Sequence, residues 1–186
     1  MRIDLGQTLL AIARGAIAKQ LGVPSPPFDE TKWLNEPGAT FVTLTRAGAL
    51  RGCIGSLVAE RPLRADVENN ALAAAFSDPR FPPVSAHEYH EIEVEVSLLS
   101  PMQLVTVESE THALTLLRPG VDGVLLEYGR RRGTFLPQVW EQLPEPRVFL
   151  AHLKQKAGLP ADFWAEEIRL SRYTVTKWRE AEFATS

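Results

Sequence analysis

The sequence predicts an α+β protein, and three observations carry that reading: a helical run near the N-terminus, a strand pair broken by a tight turn, and a stretch of strict alternation. From Asp4 to Leu21 the apolar residues Leu5, Leu9, Ile12, Ala13, Ala16, Ile17 and Leu21 recur at three-and-four spacing. Asp4 is placed to cap that helix and Gly22 to stop it. Residues 40–45 and 50–57 are rich in β-branched and apolar side chains and flank Ala47 and Gly48, the pattern of a hairpin. Ile92, Val94, Val96 and Leu98 alternate with Glu91, Glu93, Glu95 and Ser97, as a half-buried strand requires.

The remaining elements follow from breakers and spacing. Pro24, Pro26 and Pro27 forbid helix and imply an extended connection to a short turn around Trp33, with a break at Pro37 and Gly38. Pro62 opens a helix carried by Leu63, Val67, Ala71, Leu72, Ala75 and Phe76, which ends at Asp78 and Pro79. Beyond it the pattern gives a helix over 109–117, a strand over 124–128, a turn at Gly129 and Arg130, and a strand through Leu136. Helices over 137–143 and 147–157 follow, the second stopped by Gly158, then a strand over 167–173 and a charged tail.

The two halves resemble each other. An offset of 81 positions superposes Leu44 on Leu125, Gly48 on Gly129, Arg51 on Arg132 and Gly52 on Gly133, and also Val67 on Val148 and Leu72 on Leu153. A slightly smaller offset lays Glu91 and Ile92 on Glu167 and Ile168. The expectation is one domain over 1–186 built from two internal repeats, about 1–105 and 106–186, each running helix, hairpin, helix, strand.

Composition narrows the function. A chain of 186 residues, 45% hydrophobic and 23% charged, is of ordinary globular type. At this size it hides roughly 70% of its unfolded surface, so stability needs neither disulfide nor structural metal. Cys53 is the only cysteine, which rules out an intrachain disulfide and favours a reducing compartment. Asp4 and Gln7 interrupt the N-terminal segment, unlike a signal peptide, and no run approaches the ~18 apolar residues of a membrane span. The expectation is a cytoplasmic protein away from membranes. A net charge of −3 argues against broad nucleic-acid binding while leaving a local anion site open.

Leu50, Arg51, Gly52, Cys53, Ile54 and Gly55 form the first candidate site. On an extended strand Arg51 and Cys53 share a face, and a fixed positive charge beside a thiol favours thiolate, as a nucleophile or metal ligand needs. Gly52 and Gly55 remove bulk and let a ligand or another backbone approach. A lone cysteine in a strand is, however, more often a small buried hydrophobe than a nucleophile. Asp78, Pro79, Arg80, Phe81, Pro82 and Pro83 form a proline-stiffened loop that fixes Asp78 and Arg80 for ligand binding, or for a structural ion pair. Glu95, with Glu93, is a general-base candidate or a solvated strand residue.

Arg130, Arg131 and Arg132 are the densest positive cluster, and Thr134 falls where the first half has Cys53. Arg51 and Arg132 in a shared cleft would suit a carboxylate or phosphate, which guanidinium pairs bidentately. His87 and His90 lack the spacing of a zinc protease helix, and no metal or cofactor is implied by the residues. No phosphate-binding glycine loop, dinucleotide fingerprint or Gly-x-Ser-x-Gly elbow occurs.

Four ordered motifs, Leu50-Arg51-Gly52-Cys53-Ile54-Gly55, Asp78-Pro79-Arg80-Phe81-Pro82-Pro83, Glu95-Val96-Ser97 and Thr134-Phe135-Leu136-Pro137, resemble the successive signatures of AMMECR-type proteins, called AmmeMemoRadiSam system protein A in bacteria and archaea. The resemblance spans nearly the whole chain. It implies an α+β fold of two β-α repeats forming a barrel-like mixed sheet with helices outside. It also implies a pathway shared with a Memo-like protein and a radical S-adenosylmethionine enzyme, and no settled activity. With one cysteine the chain lacks the thiolates an iron–sulfur cluster uses, so any such cluster belongs to the partner. Two functions follow as expectations. One is a component that binds a small anionic substrate, with Cys53, Glu95 and Asp78 as catalytic candidates and Arg51, Gly52, Gly55, Arg80, Arg132 and Thr134 as binding candidates. The other is a non-catalytic adaptor.

Overall fold

The computed structural model describes residues 2–184. The N-terminal run forms helix α1, Arg2–Leu21, with Leu9, Ile12, Ala13 and Ile17 almost wholly buried, the one-sided burial its spacing dictates. The helix begins ahead of Asp4, which therefore stands inside it; the capping expected of the Asp4 side chain lies outside the described residues. Gly22 ends the helix at φ +69°. Its N–H donates to the Lys19 carbonyl at 3.3 Å and that of Val23 to Ala18 at 3.0 Å, the paired bonds of a Schellman stop.

A 3-10 turn, Lys32–Asn35, leads to strand β1, Pro37–Gly38, where sequence suggests only a break. Next comes the expected hairpin, β2 (Thr40–Arg46) and β3 (Ala49–Gly55). Ala47 and Gly48 both have positive φ, 50° and 78°, the requirement of a type I′ turn matching strand twist. Thr45 faces Leu50 but Leu44 faces Gly52, so Arg51 is the extra residue of a β-bulge. The two-residue β4, Arg61–Pro62, pairs with β1. Helix α2, Leu63–Phe76, then follows Pro62 as expected.

Asp66, in the first turn of α2, ties helix to sheet. Wholly buried, its carboxylate accepts the Thr40 N–H and hydroxyl at 2.7 Å each, the Ser56 hydroxyl at 2.7 Å, Arg61 Nε at 2.9 Å and Asn70 Nδ2 at 3.1 Å. A buried charge is tolerated only with its acceptor sites filled in this way. Strand β5, Ile92–Leu99, pairs antiparallel with β2, and its Val94 and Val96 join Val42 and Leu44 in one core with the buried faces of α1 and α2.

The second half supplies β6 (Gln103–Val105), α3 (Glu110–Leu116, capped by Ser109), β7 (Gly123–Tyr128), β8 (Arg131–Phe135), α4 (Pro146–Lys156) and β9 (Arg169–Tyr173). The helix expected over 137–143 is a 3-10 turn, Pro137–Glu141; Pro144 and Pro146 leave no length for an α-helix. Helix α4 ends as α1 does: Gly158 has φ +83°, and Gly158 and Leu159 donate to Gln155 and Lys154 at 2.9 Å each. The stretch after Tyr173 is not a plain tail, because Val175–Arg179 forms β10 beside β5.

The chain divides into two compact units, residues up to Leu99 with those from Thr176 onward, and residues 100–175. The first unit's main sheet has the order β10-β5-β2-β3 and the second's β6-β9-β7-β8. The α+β class holds. The barrel-like arrangement is replaced by open antiparallel sheets: four strands each are too few to close a barrel, and β3 and β8 are left as edges.

Candidate functional site

Among the described residues strand β3 has one neighbouring strand, so every second residue presents its backbone outward. At Cys53 both outward groups are engaged by the proline-stiffened loop: its N–H donates to Asp78 Oδ2 at 3.0 Å, and its carbonyl accepts Arg80 Nη2 at 3.2 Å. A residue whose backbone points away from its partner strand belongs to a non-hydrogen-bonded pair, where facing side chains approach most closely. Thr43 is that partner, and its hydroxyl donates to Cys53 Sγ at 3.2 Å. On its other side Thr43 is in register with Glu95, which accepts Arg179 Nε at 2.6 Å. A row Cys53, Thr43, Glu95, Arg179 thus crosses all four strands on the face opposite Val42 and Val94. Glu95 also lines a 510 Å³ depression with Thr45, Glu93 and Arg179.

Asp78 is 4% exposed. Besides the Cys53 amide it accepts the Arg80 backbone N–H at 3.1 Å, Nε at 3.0 Å and Nη2 at 2.7 Å. The Arg80 guanidinium, then the Cys53 amide, hold this carboxyl far below the usual carboxylate range. A group so firmly ionised has no proton to give near neutrality, and its geometry is that of a brace. Arg80 is raised by the same contact, yet its side chain remains 54% exposed.

Arg51 goes elsewhere. The bulge interrupts the simple alternation that would set it beside the thiol, and its Nε and Nη2 donate to Glu88 at 3.0 and 3.2 Å. Arg51, followed by the Ser85 N–H, lowers Glu88 to about 2. Unlike that of Arg80, this guanidinium is also enclosed, its side chain 10% exposed, and its buried Nη1 has no hydrogen-bond partner among the described residues. Arg51 and Arg80 both lie over the Phe81 ring, 6.0 and 5.5 Å from its centroid.

The motif glycines answer to neighbours within the protein. A Cβ on Gly52 would fall 2.1 Å from the Ala74 carbonyl oxygen of α2, and one on Gly55 would fall 2.2 Å from the Phe41 ring. Arg132 and Thr134 lie on β8 in the second unit. Thr134 Oγ1 donates to the Val124 carbonyl at 2.9 Å and lies 2.9 Å from the Tyr173 hydroxyl. Its carbonyl accepts Lys156 Nζ at 2.9 Å, with Lys156 over the Phe135 ring. Arg132 is exposed and in register with Glu127.

The structure thus ties Asp78 and Arg80 to the backbone of Cys53, sets Cys53 and Glu95 on either side of Thr43, and commits Arg51 to Glu88. Sequence reasoning missed Thr43, Glu88 and Arg179. Counting back across the hairpin from Cys53 could have found Thr43; nothing local marks Glu88 as the partner of a residue 37 positions away. Among the described residues no group of three or more His, Cys, Asp or Glu is placed to hold a metal ion, and no helix is long and apolar enough to cross a membrane.

Comparison with known proteins gives a consistent answer. The sequence profile of the AMMECR1 family matches residues 10–178. The chain is similar to a protein of Methanothermobacter thermautotrophicus, 40% identical with 95% of each chain covered. It is also similar to one of Methanocaldococcus jannaschii, 43% identical over 80% of this chain and 76% of the relative. The crystal structure of an uncharacterized protein from Pyrococcus horikoshii has the same fold, with a TM-score of 0.81 at 36% identity, covering 94% of this chain and 91% of that one.

Proposed function

The chain belongs to the AMMECR1 family, and from that premise we propose that it binds a small anionic molecule, or an anionic group of a larger one, beside Cys53. The observation that carries the reading is the brace: Asp78 and Arg80 together hold both backbone polar groups of Cys53. A half-exposed guanidinium is thereby fixed against a cysteine that is itself only half-buried. In this reading Arg80 meets the anion, Cys53 is the contact or nucleophile, Glu95, across Thr43 in the same row, is the candidate for proton transfer, and Asp78 positions Arg80. Arg132 and Thr134 remain binding candidates of the second unit. The family resemblance supports a setting shared with a Memo-like protein and a radical S-adenosylmethionine enzyme.

The test is protection of the single thiol. Labelling of Cys53 by iodoacetamide, followed by intact mass at constant ionic strength, should slow in a saturable way with at least one of phosphate, pyrophosphate or citrate. Identical labelling rates with all three would remove the support for an anion site here.

A second reading, a non-catalytic adaptor, is favoured by Leu50 and Val58, large apolar side chains 43% and 41% exposed at and just beyond the two ends of the Cys53 strand. It expects Cys53→Ser to leave partner association intact and Arg80→Glu to weaken it in a pull-down.

A further inference from the structure

Away from the Cys53 face, α1 and α2 leave between them a groove of 720 Å³, within the range of small-molecule sites. Its apolar surface comes from Ile12, Ala16, Val23, Phe28 and Leu72. Phe28 belongs to the proline-rich strap after α1, and the strap is pinned at two points: the Arg64 guanidinium lies 5.2 Å from the Phe28 ring centroid and pairs with Glu30. Pro24, Pro26 and Pro27 make that strap stiff. Gly15 keeps the floor open, since a Cβ there would meet only Ser25, at 3.7 Å.

The charges of the lining are unequal. Lys19 and Arg64 stand against the single carboxylate Glu68, which Arg64 Nε already engages at 3.0 Å. Lys19 has no ion-pair partner among the described residues. Glu30, whose side chain is 62% exposed, supplies a second carboxylate to Arg64 from the strap. Phe28 is therefore one wall of the groove, and a carboxylate from the chain itself already meets one of its two cations.

We propose that this groove is a binding site for a small amphiphilic anion, with a flat or branched apolar body lying on Ala16, Val23 and Leu72 and an acidic group met by Lys19 and Arg64. Glu30 stands where the acidic group of such a ligand competes for Arg64. Glu30 therefore opposes binding, and removing its charge strengthens it. The proposal does not depend on the Cys53 site.

The probe is anilinonaphthalene sulfonate, which joins an apolar ring system to one anionic group, titrated into the full chain by fluorescence. Saturable enhancement at one site per chain is expected. Lys19→Glu should weaken binding by about five-fold, and Glu30→Gln should tighten it by a few-fold, on the order of the free energy of one partly exposed charge contact. Gly15→Leu, which fills the floor, should abolish it. Lys19 and Glu30 are surface residues whose replacement leaves the core intact, so the charge variants decide the matter even where Gly15→Leu fails to fold. Non-saturable enhancement, or an affinity indifferent to both Lys19→Glu and Glu30→Gln, would overturn the proposal.

Discussion

Asp78 accepts the backbone N–H of Cys53 at 3.0 Å, a side chain doing at an edge strand what a neighbouring strand would do. With Arg80 on the Cys53 carbonyl, the pair closes one position of an otherwise available edge. In the second unit Lys156 does half of the same work at Thr134, and in both units the cation lies over an adjacent phenylalanine, Phe81 or Phe135.

Asp78→Ala should destabilise the fold by about 2 kcal/mol, because it leaves the Cys53 amide without its acceptor and Arg80 without its counter-charge. Urea denaturation measures the loss. Amide exchange at Cys53 should accelerate beyond that of the β2 amides, and equal acceleration throughout would argue that the brace is not local.

Acid should weaken the protein through Glu88. Its folded value, about 2, lies below the ordinary 4.5, so its contribution is complete above about 4.5 and is lost as the pH falls through about 2. Between about pH 5 and pH 3 the native chain should lose more stability than Glu88→Gln, which has nothing there to protonate. Denaturant midpoints of both proteins at the two pH values provide the comparison.

Gly52→Ala should cost about 3 kcal/mol or more, since the added carbon meets a helix carbonyl at 2.1 Å that cannot turn aside. The matching Gly133→Ala meets Ala157 at 3.0 Å and should cost about 1 kcal/mol. The order of the two unfolding midpoints is the check.

Ala47→Gly should stabilise by up to about 1 kcal/mol, because Ala47 occupies φ 50°, where a Cβ is strained. Ala47→Asn should do nearly as well. A lowered melting temperature in both variants would contradict the turn assignment.

Much of the fold was legible because it is written in local periodicity: the α1 spacing, the alternation of β5 and the Gly22 and Gly158 stops each need only a few neighbouring residues. The last strand was not, because Trp178 is its only buried residue and Lys177 and Arg179 make it look like a tail. The candidate site was legible as residue types but not as roles. An offset of 81 matches β3 to β8, while the first strands and turns match at 82, with Leu44 opposite Gly52 as Leu126 is opposite Gly133. The difference is the bulged Arg51, and a one-residue bulge leaves no mark in composition. Nor does sequence show that Arg51 is taken by Glu88, Arg80 by Asp78, or that the glycines are enforced by Ala74 and Phe41, since each partner arrives from another element.

The central claim, an anion-attracting environment held beside the thiol by Arg80, is tested most directly by alkylating Cys53 with two reagents of similar reactivity, anionic iodoacetate and neutral iodoacetamide. The ratio of their rates should be higher in the native chain than in Arg80→Gln by about three-fold or more, the rate effect of one nearby half-exposed charge, and Arg80→Lys should restore most of it. A ratio unchanged by Arg80→Gln, in a variant that still folds, would contradict the account.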